Sequence, residues 1–112
     1  MRLSWFEAEK YCHNLCPECF LAEIDDLTIW EILKNYNDEV LENVADIWSG
    51  ATDQDQEGKW HYFQSGKPIP GWIWGPGEPN RNGDCGEIGY NTFKLYDRDC
   101  ETLEIPLCQR LA

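Results

Sequence analysis

Six cysteines in a chain of 112 residues constrain this sequence more than any other feature. An even number at that density reads as a disulfide framework, which places the protein in an oxidising, extracellular compartment. Six cysteines permit many pairings, and spacing alone does not choose among them. A framework of this kind suits one small domain, residues 1–112, whose core is too modest to stand without staples.

Part of the cysteine pattern invites other chemistry. Cys12-x3-Cys16-x2-Cys19 has the spacing of iron–sulfur radical enzymes. Those enzymes need a large α/β barrel that this chain is too short to build, and Cys12 and Cys16 fall on successive turns of a predicted helix rather than on a loop. Zinc with His13 as a fourth ligand fails too, because neighbours on one helix do not all converge on an ion. Hydrolysis finds no support: Ser4, Ser49 and Ser65 lack a nucleophile-elbow context, and the only histidines are His13 and His61.

The charge balance removes further classes. With 21 Asp and Glu against 9 Lys and Arg, the net charge is -12. Nucleic acid needs a basic patch to neutralise phosphates, so it is excluded as a partner. Anionic membrane surfaces are disfavoured for the same reason. No apolar run approaches the roughly 20 residues that span a bilayer. Charges from Arg2 to Lys10 keep the N-terminus from reading as a signal peptide. Six Trp, five Tyr and four Phe argue for a packed fold.

Two amphipathic helices open the chain. Ser4-Trp5-Phe6-Glu7 is a capping box, and Trp5, Ala8, Cys12 and Leu15 recur at helical spacing until Pro17. Phe20 to Ile24 reads as a short strand. Asp25 and Asp26 cap a second helix whose apolar stripe is Ile29, Ile32, Leu33, Tyr36 and Val40. The texture then changes. Asp46 to Ala51, Trp60 to Phe63, Tyr90 to Tyr96 and Ile105 to Gln109 read as strands, with a turn at Glu57-Gly58. Residues 64–84 carry no helix or strand period. So long a loop in so small a domain is usually functional. Trp72 and Trp74 are expected to pin it to the core.

The loops are rich in oxygen ligands. Thr52 to Glu57 places three carboxylates in a turn, Glu78 to Asp84 mixes carboxylates and amides in the long loop, and Asp97 and Asp99 lie between two cysteines. Calcium takes six to eight oxygens, often from irregular backbone. A cis proline in Glu78-Pro79-Asn80 would aim both neighbours at one point.

In this order the features resemble the C-type lectin-like domain. The resemblance runs from Ser4-Trp5-x2-Ala8-x3-Cys12 through Leu21-Ala22-x-Ile24 to Ile47-Trp48-Ser49-Gly50, which is similar to that family's Trp-Ile-Gly signature. It continues through Trp74-x3-Glu78-Pro79-Asn80 to Cys85, Cys100 and Cys108. The resemblance implies an α+β fold: two helices flanking small antiparallel sheets, with a long irregular calcium-binding loop. It implies bridges Cys12–Cys108 and Cys85–Cys100. Cys16 and Cys19 are additional, either bridged to each other or free. The family also has a strand before its first helix. Here Met1 precedes the helix closely, so that strand is expected to be missing and the chain to be a fragment.

The resemblance also implies a function that is binding and not catalysis: calcium-dependent recognition of carbohydrate or glycoprotein, of mannose type given Glu-Pro-Asn. Glu78, Asn80 and Asp97 are expected to hold both ion and sugar. Asp84 or Asn82 would stand in for a Glu that the family places where this chain has Gly83. Asp53, Glu57 and Asp84 match an auxiliary calcium site, with Arg81 where a carboxylate is often found. Tyr96 replaces a liganding Asn. Trp72 is a candidate for stacking on a sugar ring, with core anchoring as the other expectation. The competing reading is a lectin-like domain that has lost sugar binding and recognises protein or another surface, which Tyr96 and Gly83 favour.

Overall fold

The computed structural model describes residues 1–39 and 45–110. Helix α1 spans Trp5–Leu15 and starts at the capping box. Ser4 Oγ accepts from the Glu7 amide at 3.3 Å and Glu7 Oε1 accepts from the Ser4 amide at 3.0 Å, so two donors of the first turn are satisfied reciprocally. Trp5, Ala8 and Cys12 are buried as expected, but Leu15 is exposed, because the last turn runs past the point where α1 is tied to the core. Cys19–Leu21 forms β1.

Helix α2 spans Leu27–Glu39, and Asp26 Oδ1 caps it by accepting from the Thr28 and Ile29 amides at 2.8 and 3.2 Å. Its buried face is not the predicted one. Ile29, Ile32 and Tyr36 are exposed, while Trp30 and Asn37 are buried and Leu33 is partly so. Trp30 decides the rotation. It is the largest apolar side chain of the helix, and its indole N–H donates to Phe93 O at 2.7 Å. Asn37 Nδ2 donates to Tyr90 O at 3.1 Å two helical turns further on. Val40 lies outside the described residues.

A sheet follows in the order β3-β2-β4-β5, with β2 at Ile47–Thr52, β3 at His61–Tyr62, β4 at Cys85–Ile88 and β5 at Leu95–Arg98. These pairs are antiparallel, and β6 (Ile105–Pro106) adds to β2 in parallel. β7 (Cys108–Arg110) returns to pair with β1. Three strand expectations need correction. Ile105 to Gln109 is not one strand: it divides at Leu107 into β6 and β7, which join different sheets. Tyr90 to Tyr96 is mostly a turn, with Phe93 at φ 52, and only Leu95 and Tyr96 join β5. β4 is the strand the sequence hid: Gly86 resembles a loop residue, yet it is glycine because a Cβ there would stand 2.8 Å from the Ala51 Cβ across the sheet. Ahead of α1, Leu3 exchanges two backbone hydrogen bonds of 2.8 Å with Glu104.

All three bridges form: Cys12–Cys108, Cys85–Cys100 and Cys16–Cys19. No cysteine is free, so the cluster and zinc readings close. Two cores result. Trp5, Ala8, Cys12 and Leu21 pack on Trp48 beneath α1. Trp30, Tyr62, Ile73, Ile88, Phe93 and Leu95 pack beneath α2 and the long loop.

Candidate metal and ligand site in the long loop

Residues 63–84 cross the molecule with one 3-10 turn, Gly71–Ile73, and are held by aromatic packing. Trp72 meets Trp30 edge-on at 5.9 Å, and Trp74 meets Trp60 at 5.0 Å. Trp72 therefore anchors the loop, as Trp74 does. Gly75 N donates to Leu95 O at 2.9 Å, which lays the loop along β5. The Tyr96 ring fills the space a side chain at Gly75 would need, and its hydroxyl pairs with Thr92 Oγ1 at 2.7 Å. Tyr96 thus acts as a clasp between loop and strand.

Immediately downstream, Glu78, Asn80 and Asp97 come together. The Glu78–Pro79 peptide is cis. Glu78 Oε1 accepts from the Asp97 amide at 3.1 Å. Asp97 Oδ2 accepts from the Asn80 and Asn82 amides at 2.9 and 3.2 Å. Asp97 is buried, and its Oδ1 has no partner. Burial, then the neighbouring Asp97 carboxylate, pushes Glu78 up to about 7 from 4.5.

Asp53, Glu57 and Asp84 form a second group, each offering an oxygen within 4.8 Å of the others. The end of β2 meets the start of β4 here: Thr52 Oγ1 and Asp53 N both donate to Asp84 O, at 2.8 and 3.1 Å. Asp53 is fully buried, with Oδ2 accepting from the Gly58 amide at 2.8 Å and Oδ1 unpartnered. Burial raises the Asp53 carboxyl, and the Asp53 carboxylate in turn raises that of Asp84. Thr52 was not singled out by its sequence; only the pairing of β2 with β4 reveals its role.

Of the two stand-ins for the missing Glu, Asn82 stays with Asp97, whereas Asp84 joins the Asp53 group. Gly83 itself has no room for a side chain: a Cβ would collide with the Arg98 carbonyl and the Asp99 amide nitrogen. The loop lies directly on the backbone at the end of β5, which is why glycine stands there.

The Asp53 group, with its 4.8 Å spread, fits a hard cation, and Glu78 and Asp97 offer carboxylates side by side in the long loop. Two oxygens on one calcium ion, each at about 2.3–2.6 Å, lie at most about 5 Å apart. A buried carboxylate oxygen without a donor is costly unless a proton or cation meets it. Asp53 Oδ1 and Asp97 Oδ1 are two such atoms.

The sequence matches the Lectin C-type domain model over residues 1–110. C-type lectin BfL-2 of Bungarus fasciatus is 30% identical over 111 residues, covering 95% of this chain and 70% of that protein. The C-type lectin mannose-binding isoform of Oxyuranus scutellatus is 28% identical over 113 residues, with the same coverage. Among solved structures, the mouse scavenger receptor C-type lectin carbohydrate-recognition domain superposes with a TM-score of 0.81 at 22% identity, covering 99% of this chain and 84% of that one. Human lithostathine gives 0.82 at 24%, covering 96% and 83%. With the helices, the paired sheets and the bridges in place and the family model spanning nearly its whole length, this chain belongs to the C-type lectin domain family.

Proposed function

We propose that the long loop is a calcium-dependent carbohydrate site of mannose type, and that the protein works outside the cell on free or protein-borne glycans. The observation that carries this reading is the meeting of Glu78, Asn80 and Asp97 through the Asp97 amide and Oδ2, with Asp97 Oδ1 buried and unpartnered. The mannose-binding relative supports the choice of sugar. Calcium, when bound, supplies an oxygen-seeking centre on which two vicinal sugar hydroxyls complete the coordination. Glu78 accepts a hydrogen bond from one hydroxyl. Asn80 Oδ1 is engaged by the Asn82 amide at 3.1 Å, which leaves its Nδ2 to donate to the other. Asp97 fixes the backbone of both Asn80 and Asn82. Asp53, Glu57 and Asp84 hold an auxiliary ion that stiffens the base of the loop. A glycan array with and without chelator tests the reading. Mannose-terminated glycans should bind only in calcium, and no glycan binding at about 10 mM calcium, well above the range of weak extracellular sites, would overturn it.

The second reading is a lectin-like domain directed at protein. Tyr96 favours it, because a neutral phenol turned toward Thr92 gives the ion nothing. Tyr96→Asn separates the two. A recovered amide ligand and one sugar hydrogen bond are worth about 1–2 kcal/mol, which is roughly five- to thirtyfold in mannose affinity. The same change removes the ring over Gly75, so about 1–2 kcal/mol of stability is lost and the melting temperature falls by roughly 5–10 °C. Tighter mannose binding from a less stable protein is the expected result. Unchanged binding in both proteins would favour the second reading.

The raised carboxyls set a pH dependence. The unfolded chain releases the Glu78 proton near 4.5, whereas the folded chain holds it to about 7. The folded state therefore binds more protons in that window, and stability in chelator falls as pH rises through it. Glu104, raised to about 9 by burial and then by Glu87, extends the fall. Calcium competes with the proton on Glu78, so its stabilising effect should grow as pH rises through 7 and fade toward 5. Melting curves with calcium and with chelator across this range check both signs.

A further inference from the structure

At the opposite end of β2 from Asp53 lies a carboxylate set that the lectin reading leaves unused. Asp46 precedes β2, Glu87 lies in β4 and Glu104 precedes β6, and each offers an oxygen within 4.8 Å of the others. Along β4, Glu87 stands three residues, or about 10 Å of strand, from Asp84 of the Asp53 group. Glu87 and Glu104 are 3% and 4% exposed. Glu87 Oε2 accepts from Arg98 Nη2 at 2.6 Å, but Glu87 Oε1 and Glu104 Oε2 have no partner. Asp46 Oδ1 is held by the Tyr90 amide at 2.9 Å.

We propose that Asp46, Glu87 and Glu104 form a separate calcium site, built at the edge where β2, β4 and β6 meet. Of the three carboxylates only Glu87 and Glu104 are buried; Arg98 pairs with Glu87 and Arg2 also lines the cavity, so the uncompensated group is Glu104. Uncompensated buried charge is among the costliest features a fold can carry. A divalent cation meets both unpartnered oxygens and joins them to Asp46 at the rim, whereas one shared proton joins only Glu87 to Glu104. The spread of 4.8 Å suits oxygens on one ion. A cavity of about 140 Å³ beside them, lined also by Arg2 and Thr102, has room for the several waters an irregular calcium sphere takes up. Magnesium, which demands near-ideal octahedral geometry, suits this set less well.

Equilibrium dialysis against calcium alone at neutral pH tests the proposal on the full chain. Asp53→Asn with Glu78→Gln disables the long-loop groups, and this variant should still retain one calcium per chain. Adding Glu104→Gln should weaken that ion at least tenfold. In the otherwise wild-type protein, Glu104→Gln should lower the calcium count by one while mannose binding persists. Should Glu104→Gln not fold, Asp46→Asn at the half-buried rim replaces it and should weaken the ion about tenfold by removing one charged ligand. The proposal is overturned if the Asp53/Glu78 variant binds no calcium at about 10 mM, an excess over weak extracellular sites, or if its ion survives both substitutions. The first outcome would assign the gap to a shared proton. Mannose binding by the wild-type chain is read independently, so the lectin reading stands or falls separately.

Discussion

Replacing Cys12 and Cys108 together by Ala is expected to destabilise the protein by about 4–5 kcal/mol, more than removing either other bridge. The two residues are separated by 96 positions, so reduction frees almost the whole chain. Loop-closure entropy for a separation of that size is about 4–5 kcal/mol, against about 3 kcal/mol for a loop of roughly 15 residues. Cys85 and Cys100 are separated by 15 residues and Cys16 and Cys19 by 3, which fixes the expected ranking. Burial adds to the effect at Cys12. It lies in the core with Trp5, Ala8 and Trp48, and its bridge is what holds α1 to β7. Domains of this size are stable by about 5–15 kcal/mol, so the loss brings the variant close to unfolding at body temperature. Denaturant titration should show a lower midpoint and a steeper dependence, because an uncrosslinked denatured chain exposes more surface. Equal losses for the Cys12–Cys108 and Cys16–Cys19 pairs would show that chain entropy is not what the long bridge contributes.

Features that depend on neighbouring residues were legible in the sequence. The capping box at Ser4 and Glu7, the Asp26 cap and the turn at Gly58 all form as the local pattern dictates. So was the gathering of Glu78, Asn80 and Asp97, though only through the family resemblance, which also supplied the long-range cysteine pairing. What failed depended on tertiary competition. The apolar residues of α2 outnumber the face it buries, and only the seat waiting for Trp30 beside Phe93 selects that face. Gly86 reads as a loop because a sequence does not show that Ala51 and Leu95 press on it from either side. Asp84 could serve either carboxylate group until Thr52 and Asp53 claim its carbonyl. Asp46, Glu87 and Glu104 are scattered through three segments, and nothing short of the strand order brings them together.

Asp97→Asn is expected to abolish calcium-dependent mannose binding with little cost to the calcium-free fold. Two effects oppose each other without calcium. The substitution replaces a charged acceptor for the Asn80 and Asn82 amides by a neutral one, and each such bond weakens by about 1 kcal/mol. It also removes the carboxylate beside Glu78, which relieves like-charge repulsion and lets the Glu78 carboxyl return toward its ordinary value. The melting temperature in chelator should therefore move by only a few degrees. With calcium the effects no longer cancel. Asp97 Oδ1 is the buried oxygen with no other partner, and an amide oxygen in its place brings no charge to the ion. A loss of about 3 kcal/mol, or roughly a hundredfold in calcium affinity, follows from removing one charged ligand. The calcium-induced rise in melting temperature should shrink accordingly, and mannose binding should fall below detection, since the sugar hydroxyls depend on the ion. If Asp97→Asn instead keeps the calcium response while losing stability in chelator, Asp97 is a fastener of the Asn80 turn and not a ligand. The calcium response would then come from the other carboxylate groups, and the sugar site would have to be sought elsewhere on the loop.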